Sequence, residues 1–197
     1  MKKENIWFIF FAIAMFGCSG RFYNHVIRYD DEFRNSSKRI ARVIVRNDER
    51  RSEIWKAMIV FEKVDERAGG EAHASAYFVI ARTTASFGVT GKGYMKAGDK
   101  KFELSVKEPV SEYNTRYETT QMNTVTADST GYRSSQTANT STANWFNEKF
   151  TTDLTPQMVS ALSGSGVVIF RFYFGPIQAT FKLEGRKLKV VQGVFAE

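Results

Sequence analysis

Few side chains in these 197 residues are spaced for chemistry. His25 and His73 are the only histidines, and each lies among uncharged or apolar neighbours without the spacing of a metal-ligand set. Either ring can act as a general base, but no nucleophile neighbours it in sequence. Asp30-Asp31-Glu32 and Asp65-Glu66 read as solvated turn carboxylates with too few oxygen ligands for calcium. Gly88-Val-Thr-Gly91-Lys92-Gly93 invites comparison with a phosphate loop. Its first glycine is too close to the second, Gly93 stands where Ser or Thr is needed, and the helix context is missing. A glycine-rich strand accounts for it better. The sequence therefore predicts no catalytic residue, no cofactor and no metal site. The reactive group left over is the thiol of Cys18, the only cysteine.

Cys18 closes a segment of distinct order. Lys2 and Lys3 make a basic start, Ile6 to Phe16 is uninterruptedly apolar, and small Gly17 precedes the thiol. As a helix, the stretch from Ile6 to Gly17 would extend about 18 Å at ~1.5 Å per residue, short of the ~20 apolar residues a bilayer core requires. The order is that of an export signal. It resembles the signal peptide of bacterial lipoproteins, in which the cysteine is acylated and becomes the first residue of the mature protein. Met15 and Phe16 stand where that family usually carries Leu and a small residue. The resemblance implies removal of residues 1–17 and two or three fatty acyl chains, such as palmitate, on Cys18. At ~0.8 kcal/mol per buried CH₂, that is a permanent tether. Ser19 in place of Asp implies the outer membrane in diderm bacteria. A lone cysteine in an exported protein has no disulfide partner, so acylation gives its position a reason. Secretion with cleavage after Gly17 or Gly20, and an uncleaved anchor, are the competing readings.

Loss of Lys2, Lys3 and Glu4 with the signal lowers the net charge from +7 to +6. The mature chain suits one domain, large enough to bury ~70% of its unfolded surface. A basic protein beside a membrane can meet anionic lipid, glycan or an acidic envelope protein, although basic residues spread over solvent-facing strand positions explain the charge better. Arg39, Arg42, Arg46, Arg50 and Arg51 beside Trp55, and Arg171 with Tyr173, offer charge next to aromatic rings. An exported, tethered protein rarely encounters nucleic acid, so no nucleic-acid partner is expected.

Residues 18–37 read as the lipidated cysteine and a spacer, with Phe22, Tyr23, Val26, Ile27 and Tyr29 free to dock on a single β-domain of residues 38–197. Period-two alternation then dominates. Ala41, Val43 and Val45 share one strand face, and Trp55, Ala57, Ile59 and Phe61 share another. Residues 72–83 are apolar on both faces and should be central in their sheet. A strand from about Phe87 to Met95 contains Gly91 and Gly93, suggesting a bulge or a close approach of backbone. Ala97-Gly-Asp-Lys100 is a hairpin turn, Phe102, Leu104 and Val106 follow, and Pro109 ends that strand. Residues 113–127 suit an exposed or edge strand. Residues 128–143, with eight Ser or Thr in sixteen, read as a mobile loop.

One helix is predicted, from Thr155 to Ser163, with Thr155 as N-cap, Pro156 in the first helical position and Gly164 beyond its end. Pairing Phe174 with Ile177, Phe172 with Ala179 and Phe170 with Phe181 across Gly175-Pro176 puts every apolar residue of that hairpin on one face. The tail from Arg186 fits a helix or a strand, with a lean to strand after the Glu184-Gly185 turn. The expected fold is all-β: an antiparallel sandwich or flattened barrel of eight to ten strands with one short helix.

These readings predict a lipid-anchored envelope protein acting as a non-enzymatic binding or structural module, with residues 113–143 as a contact surface. The alternatives are a carrier of a lipid or fatty acid, whose 17 Phe and 8 Tyr line a barrel cavity, and an envelope hydrolase whose residues sequence cannot assemble. A filled sandwich with an exposed edge favours docking; an open phenylalanine-lined barrel favours the carrier.

Overall fold

The computed structural model describes residues 23–33, 36–49, 52–66, 72–83, 87–128 and 131–196, without the side chains of 125–128, 131–133 and 135. The signal expected at 1–17, the acylation expected at Cys18, and Arg50 and Arg51 fall outside the described residues. Among the described residues ten strands and two helices follow one another: β1 (Val26–Asp31), β2 (Ser36–Arg46), β3 (Ile54–Glu66), β4 (His73–Arg82), β5 (Lys92–Ala97), β6 (Lys100–Ser105), β7 (Lys107–Asp128), β8 (Gly131–Asp153), α1 (Pro156–Gly164), β9 (Val167–Phe174), β10 (Ile177–Glu184) and α2 (Gly185–Phe195). The strands form two antiparallel sheets, one of order β1-β2-β3-β4-β8-β7 and one of order β10-β9-β5-β6. The all-β sandwich expected from the alternation is therefore the fold.

The alternation fills the space between the sheets. Val43, Ile59, Phe61, Phe78, Ile80 and Phe150 from the larger sheet meet Met95, Leu104, Phe170, Phe172, Phe174 and Phe181 from the smaller, all of them buried. Phe78, Phe150 and Phe172 form a ring cluster with centroids 4.8 to 5.2 Å apart. Each such side chain contributes ~1.5–3 kcal/mol by leaving water, and edge-to-face contacts such as Phe78 on Phe172 add to that. The phenylalanines pack on one another as core.

The β9–β10 register is the one the sequence predicts, with Phe174 opposite Ile177, Phe172 opposite Ala179 and Phe170 opposite Phe181. Gly175 takes φ +57° in the connecting turn, where a Cβ would also strike the Phe87 ring at 2.6 Å. Of the two glycines where a bulge or a close approach of backbone is expected, Gly93 is crowded, a Cβ there lying 2.4 Å from the Phe172 ring opposite it and 3.0 Å from Arg171 O, whereas Gly91 has open space. Helix α1 starts where its signals place it, with the Met158 N–H donating to Thr155 Oγ1 at 3.3 Å.

Several expectations are corrected. The tail forms α2, a second helix, where a strand was favoured. Leu188, Val191, Val194 and Phe195 form its buried stripe, and Phe195 meets Phe61 edge-on at 6.3 Å. Gln192 Nε2 donates to Leu162 O (3.1 Å) and Ser165 O (2.9 Å), so α2 satisfies carbonyls at the end of α1. The Arg39 guanidinium donates to Ala196 O beyond the end of α2 and pairs with Asp65 at 2.8 Å. The strand expected from Phe87 begins only at Lys92. Pro109 does not end a strand: it sits in a bulge between Lys107 and Val110 at the start of β7, where Glu108 has φ +52°. A second bulge, between Ile54 and Lys56, turns Trp55 out of the core face predicted for it, leaving it 44% exposed while Ile54 is buried. Lastly, the Ser/Thr-rich segment 128–143 is not a loop, since from Gly131 onward it is part of β8.

Candidate functional site

Of the four sheet edges, three are short. β1, β6 and β10 have six, six and eight residues, and each carries charge: Arg28 and Asp30 on β1, Lys100, Lys101 and Glu103 on β6, Lys182 and Glu184 on β10. Short, charged edges resist pairing with another chain. The fourth edge, β7, has 22 residues. A Glu108–Pro109 bulge blunts its base, and Glu112, Arg116 and Glu118 are the charges between Val110 and Thr124; from Tyr113 to Thr124 it has no Pro, no Gly and no Lys.

Much of β7 stands clear of the sandwich. β4 pairs with β8 only from Ser75 opposite Asp153 to Arg82 opposite Phe146. Beyond Phe146, β7 and β8 pair with each other alone, through Asp128 opposite Gly131. This two-stranded arm is roughly 45 Å long at ~3.3 Å per residue. Its described side chains from Thr115 to Thr124 are all exposed. One face continues the inner face of the sandwich, with Tyr113 against Phe146 (ring centroids 5.1 Å), then Thr115, Tyr117, Thr119 and Gln121, and carries no charge there. Thr119 and Thr140 meet hydroxyl to hydroxyl at 3.3 Å. The opposite face carries Arg116 and Glu118, paired at 3.0 Å, and exposed Met122.

The arm is fixed at its root by a buried ion pair. Arg82 Nη2 lies 2.8 Å from Glu148 Oε2, with the two side chains 5% and 3% exposed. Glu148 Oε1 accepts from the Val89 N–H at 3.3 Å, and Arg82 Nη1 donates to Phe87 O at 2.5 Å. The guanidinium also lies over the rings of Phe146 and Phe174, at 5.9 and 5.6 Å. Together these contacts tie β4, β8, the Phe87–Val89 segment and the β9–β10 hairpin at the point where the arm departs.

On the outer face of the larger sheet, beside the root, lies a groove of about 450 Å³. Ile44, Met58, Val79, Trp55, Trp145 and Tyr23 are among the residues that line it. Arg116 and Glu118 of the arm reach the same groove. The tyrosine is held by Arg42, whose guanidinium lies 5.9 Å from its ring, and by a 4.0 Å contact from its hydroxyl to Met58 Sδ.

The residues singled out for chemistry do not converge. His25 Nδ1 contacts Tyr23 O at 3.1 Å, while exposed His73 lies 3.7 Å from Asp153 on another face. Asp30 and Asp31 end β1 and Asp65 and Glu66 end β3, so neither cluster is a free turn. Among the described residues no three His, Cys, Asp or Glu side chains gather as a metal set. The segment Gly88–Lys92 runs into β5 without a helix. Arg171 Nε donates to Thr180 Oγ1 at 3.2 Å, and Tyr173 packs on Tyr94. Among the described residues no helix is long and apolar enough to cross a membrane. Sequence reasoning missed the arm's second strand and the groove. The available signal was a Ser/Thr/Asn-rich run, uncharged from Ser134 to Asn147, that follows the turn-prone sequence Asp128-Ser-Thr-Gly131. No protein-family model matches the chain, and no curated protein or solved structure matches it either.

Proposed function

We propose that this chain is a lipid-anchored envelope protein, tethered through acylated Cys18 at the outer membrane, that works as a non-enzymatic docking module. The β7 edge of the arm accepts a strand from a protein partner. The observation that carries the reading is the long β7 edge, free of Pro, Gly and Lys from Tyr113 to Thr124, while every other sheet edge is short. Strand addition uses main-chain hydrogen bonds for affinity and the alternating side chains for selectivity. A two-stranded ribbon is marginal in water by itself, so an added strand stabilises the arm while it binds. The net positive charge of the mature chain is a separate property, suited to attraction towards anionic lipids or glycans of the envelope.

A photo-reactive residue at Tyr117 should crosslink to protein in intact cells, while the same group at Lys182 should not. Equal yields from both sites would refute docking through the arm. Anchoring is tested separately. Cys18→Ala should abolish incorporation of labelled fatty acid, and continued labelling would remove Cys18 from the account.

A second reading, carriage of an apolar ligand, is supported by the groove and not by the packed interior. Ile44, Met58 and Val79 between two tryptophans form an apolar surface of ligand size. Organic extraction of purified protein followed by mass spectrometry decides it, since a carrier brings lipid with it.

A further inference from the structure

We infer that the strand added to β7 is β7 of a second copy of this chain, paired antiparallel about a two-fold axis through Tyr117. The inference rests on the docking reading above and names its partner.

The argument begins with geometry. Two identical antiparallel strands in one pleated sheet are related by a two-fold axis normal to the sheet. Residues opposite one another must point to the same side, so the axis passes through a residue and not between two. Every symmetric pairing of β7 is thus named by its central residue, and charge separates the options.

The outer part of the edge carries few charges: Glu112, Arg116 and Glu118 between Val110 and Thr124. A centre on Arg116 sets two guanidinium groups opposite, and a centre on Glu118 sets two carboxylates opposite. A centre on Thr115 opposes Glu118 to the partner's Glu112. A centre on Asn114 opposes Arg116 to the partner's Glu112, but Glu112 already holds Lys149, and the Glu108–Pro109 bulge cuts that pairing short. A centre on Tyr117 sets Arg116 opposite the partner's Glu118 and Glu118 opposite the partner's Arg116, so two ion pairs form for one interface. Thr115 then faces the partner's Thr119, and Tyr113 faces the partner's Gln121. The paired stretch runs from Val110 to Thr124 and stops outside the bulge.

Exposure agrees with this. Tyr113, Tyr117 and Met122 are 59%, 72% and 57% exposed, large side chains that the described residues leave open to solvent. Arg116 and Glu118 are 68% and 56% exposed and already lie on one face, spaced to exchange their intrachain contact for two across the axis.

The test is charge reversal on the full chain, read as molecular mass by sedimentation in detergent. Wild type should dimerise reversibly. Arg116→Glu and Glu118→Arg should each weaken dimerisation about tenfold, because each replaces two attractive cross-strand pairs with two repulsive ones. The double variant Arg116→Glu/Glu118→Arg should restore the wild-type constant, since the reversed pairs again attract. All four chains keep the same body, so circular dichroism should show equal folding. Tyr117→Cys should form an intermolecular disulfide. Thr119→Cys should not, because two copies of residue 119 lie ~13 Å apart at ~3.3 Å per residue, beyond disulfide reach.

A monomeric wild type overturns the inference, as does a dimer indifferent to both single reversals or one the double variant fails to restore. Crosslinks from Tyr117 solely to a different protein overturn the self-pairing and leave the docking reading standing. Absence of any crosslink from the arm overturns both.

Discussion

Replacing Arg82 by Leu removes one member of an ion pair that the fold has taken almost wholly out of water. In the native protein Glu148 is 3% exposed, its Oε2 is held by Arg82 at 2.8 Å, and its Oε1 accepts only a 3.3 Å bond from Val89. The substitution leaves that carboxylate without its cation inside the protein, a change that costs about 3–5 kcal/mol. A domain of ordinary stability has ~5–15 kcal/mol in total, so the midpoint of urea unfolding should fall markedly. Glu148→Leu should cost a comparable amount from the other side, the more so because Arg82 Nε already lacks a partner. The double variant Arg82→Leu/Glu148→Leu removes both charges. It should recover most of the loss, because an apolar pair of similar volume is often neutral against a buried ion pair. The coupling energy from this cycle should therefore be several kcal/mol. Urea denaturation followed by circular dichroism measures all four corners. Single substitutions costing under ~1 kcal/mol, the range of exposed pairs, would show that the pair is solvated and does not fix the root of the arm.

Two further predictions concern packing and pH. Gly93→Ala places a methyl group 2.4 Å from the Phe172 ring and 3.0 Å from Arg171 O, so it should destabilise the protein by about 1–3 kcal/mol through overpacking. A lowered melting temperature that Phe172→Leu partly restores would confirm that cause, and an unchanged one would contradict it. Burial alone would raise the pKa of Asp65, but hydrogen bonds and charge from Arg39 and Lys63 outweigh it and hold the carboxyl below its ordinary value. A carboxylate lowered on folding stabilises the protein above its unfolded pKa of ~3.9, and that contribution disappears as pH falls through the still lower folded value. Asp65→Asn should therefore remove part of the acid-limb slope of stability, read from urea midpoints between pH 6 and pH 2. The effect should be modest, because the side chain is one-third exposed. An identical slope in the variant would refute the assignment.

The β9–β10 hairpin and α1 were legible from the sequence because each is specified locally. A one-residue slip in the hairpin would carry Phe170, Phe172 and Phe174 out of the core, so its alternation admits one register. Thr155 and Pro156 mark the start of α1 within two adjacent residues. The close approach at Gly93 was also readable, since a glycine among strand residues leaves room for a neighbour, although only the structure names Phe172 as that neighbour.

Other features are settled by contacts distant in sequence. The tail can put Leu188, Val191 and Phe195 on a helical stripe or Leu188, Val190 and Val194 on a strand face. The helix prevails where Phe61, Leu162 and Arg39 give it a surface and partners. Trp55 leaves the core because a bulge against β4 resets the phase of β3, and no local pattern announces that. The arm is the clearest case. Its Ser, Thr and Asn residues bury too little to specify a strand by hydrophobic pattern. It takes its conformation from a backbone ladder that starts at the buried Arg82–Glu148 root and propagates outward pair by pair. Period and capping chemistry are written residue by residue, whereas a polar strand, a bulge or a covering helix is selected by the surface it meets, which exists only once the chain has folded.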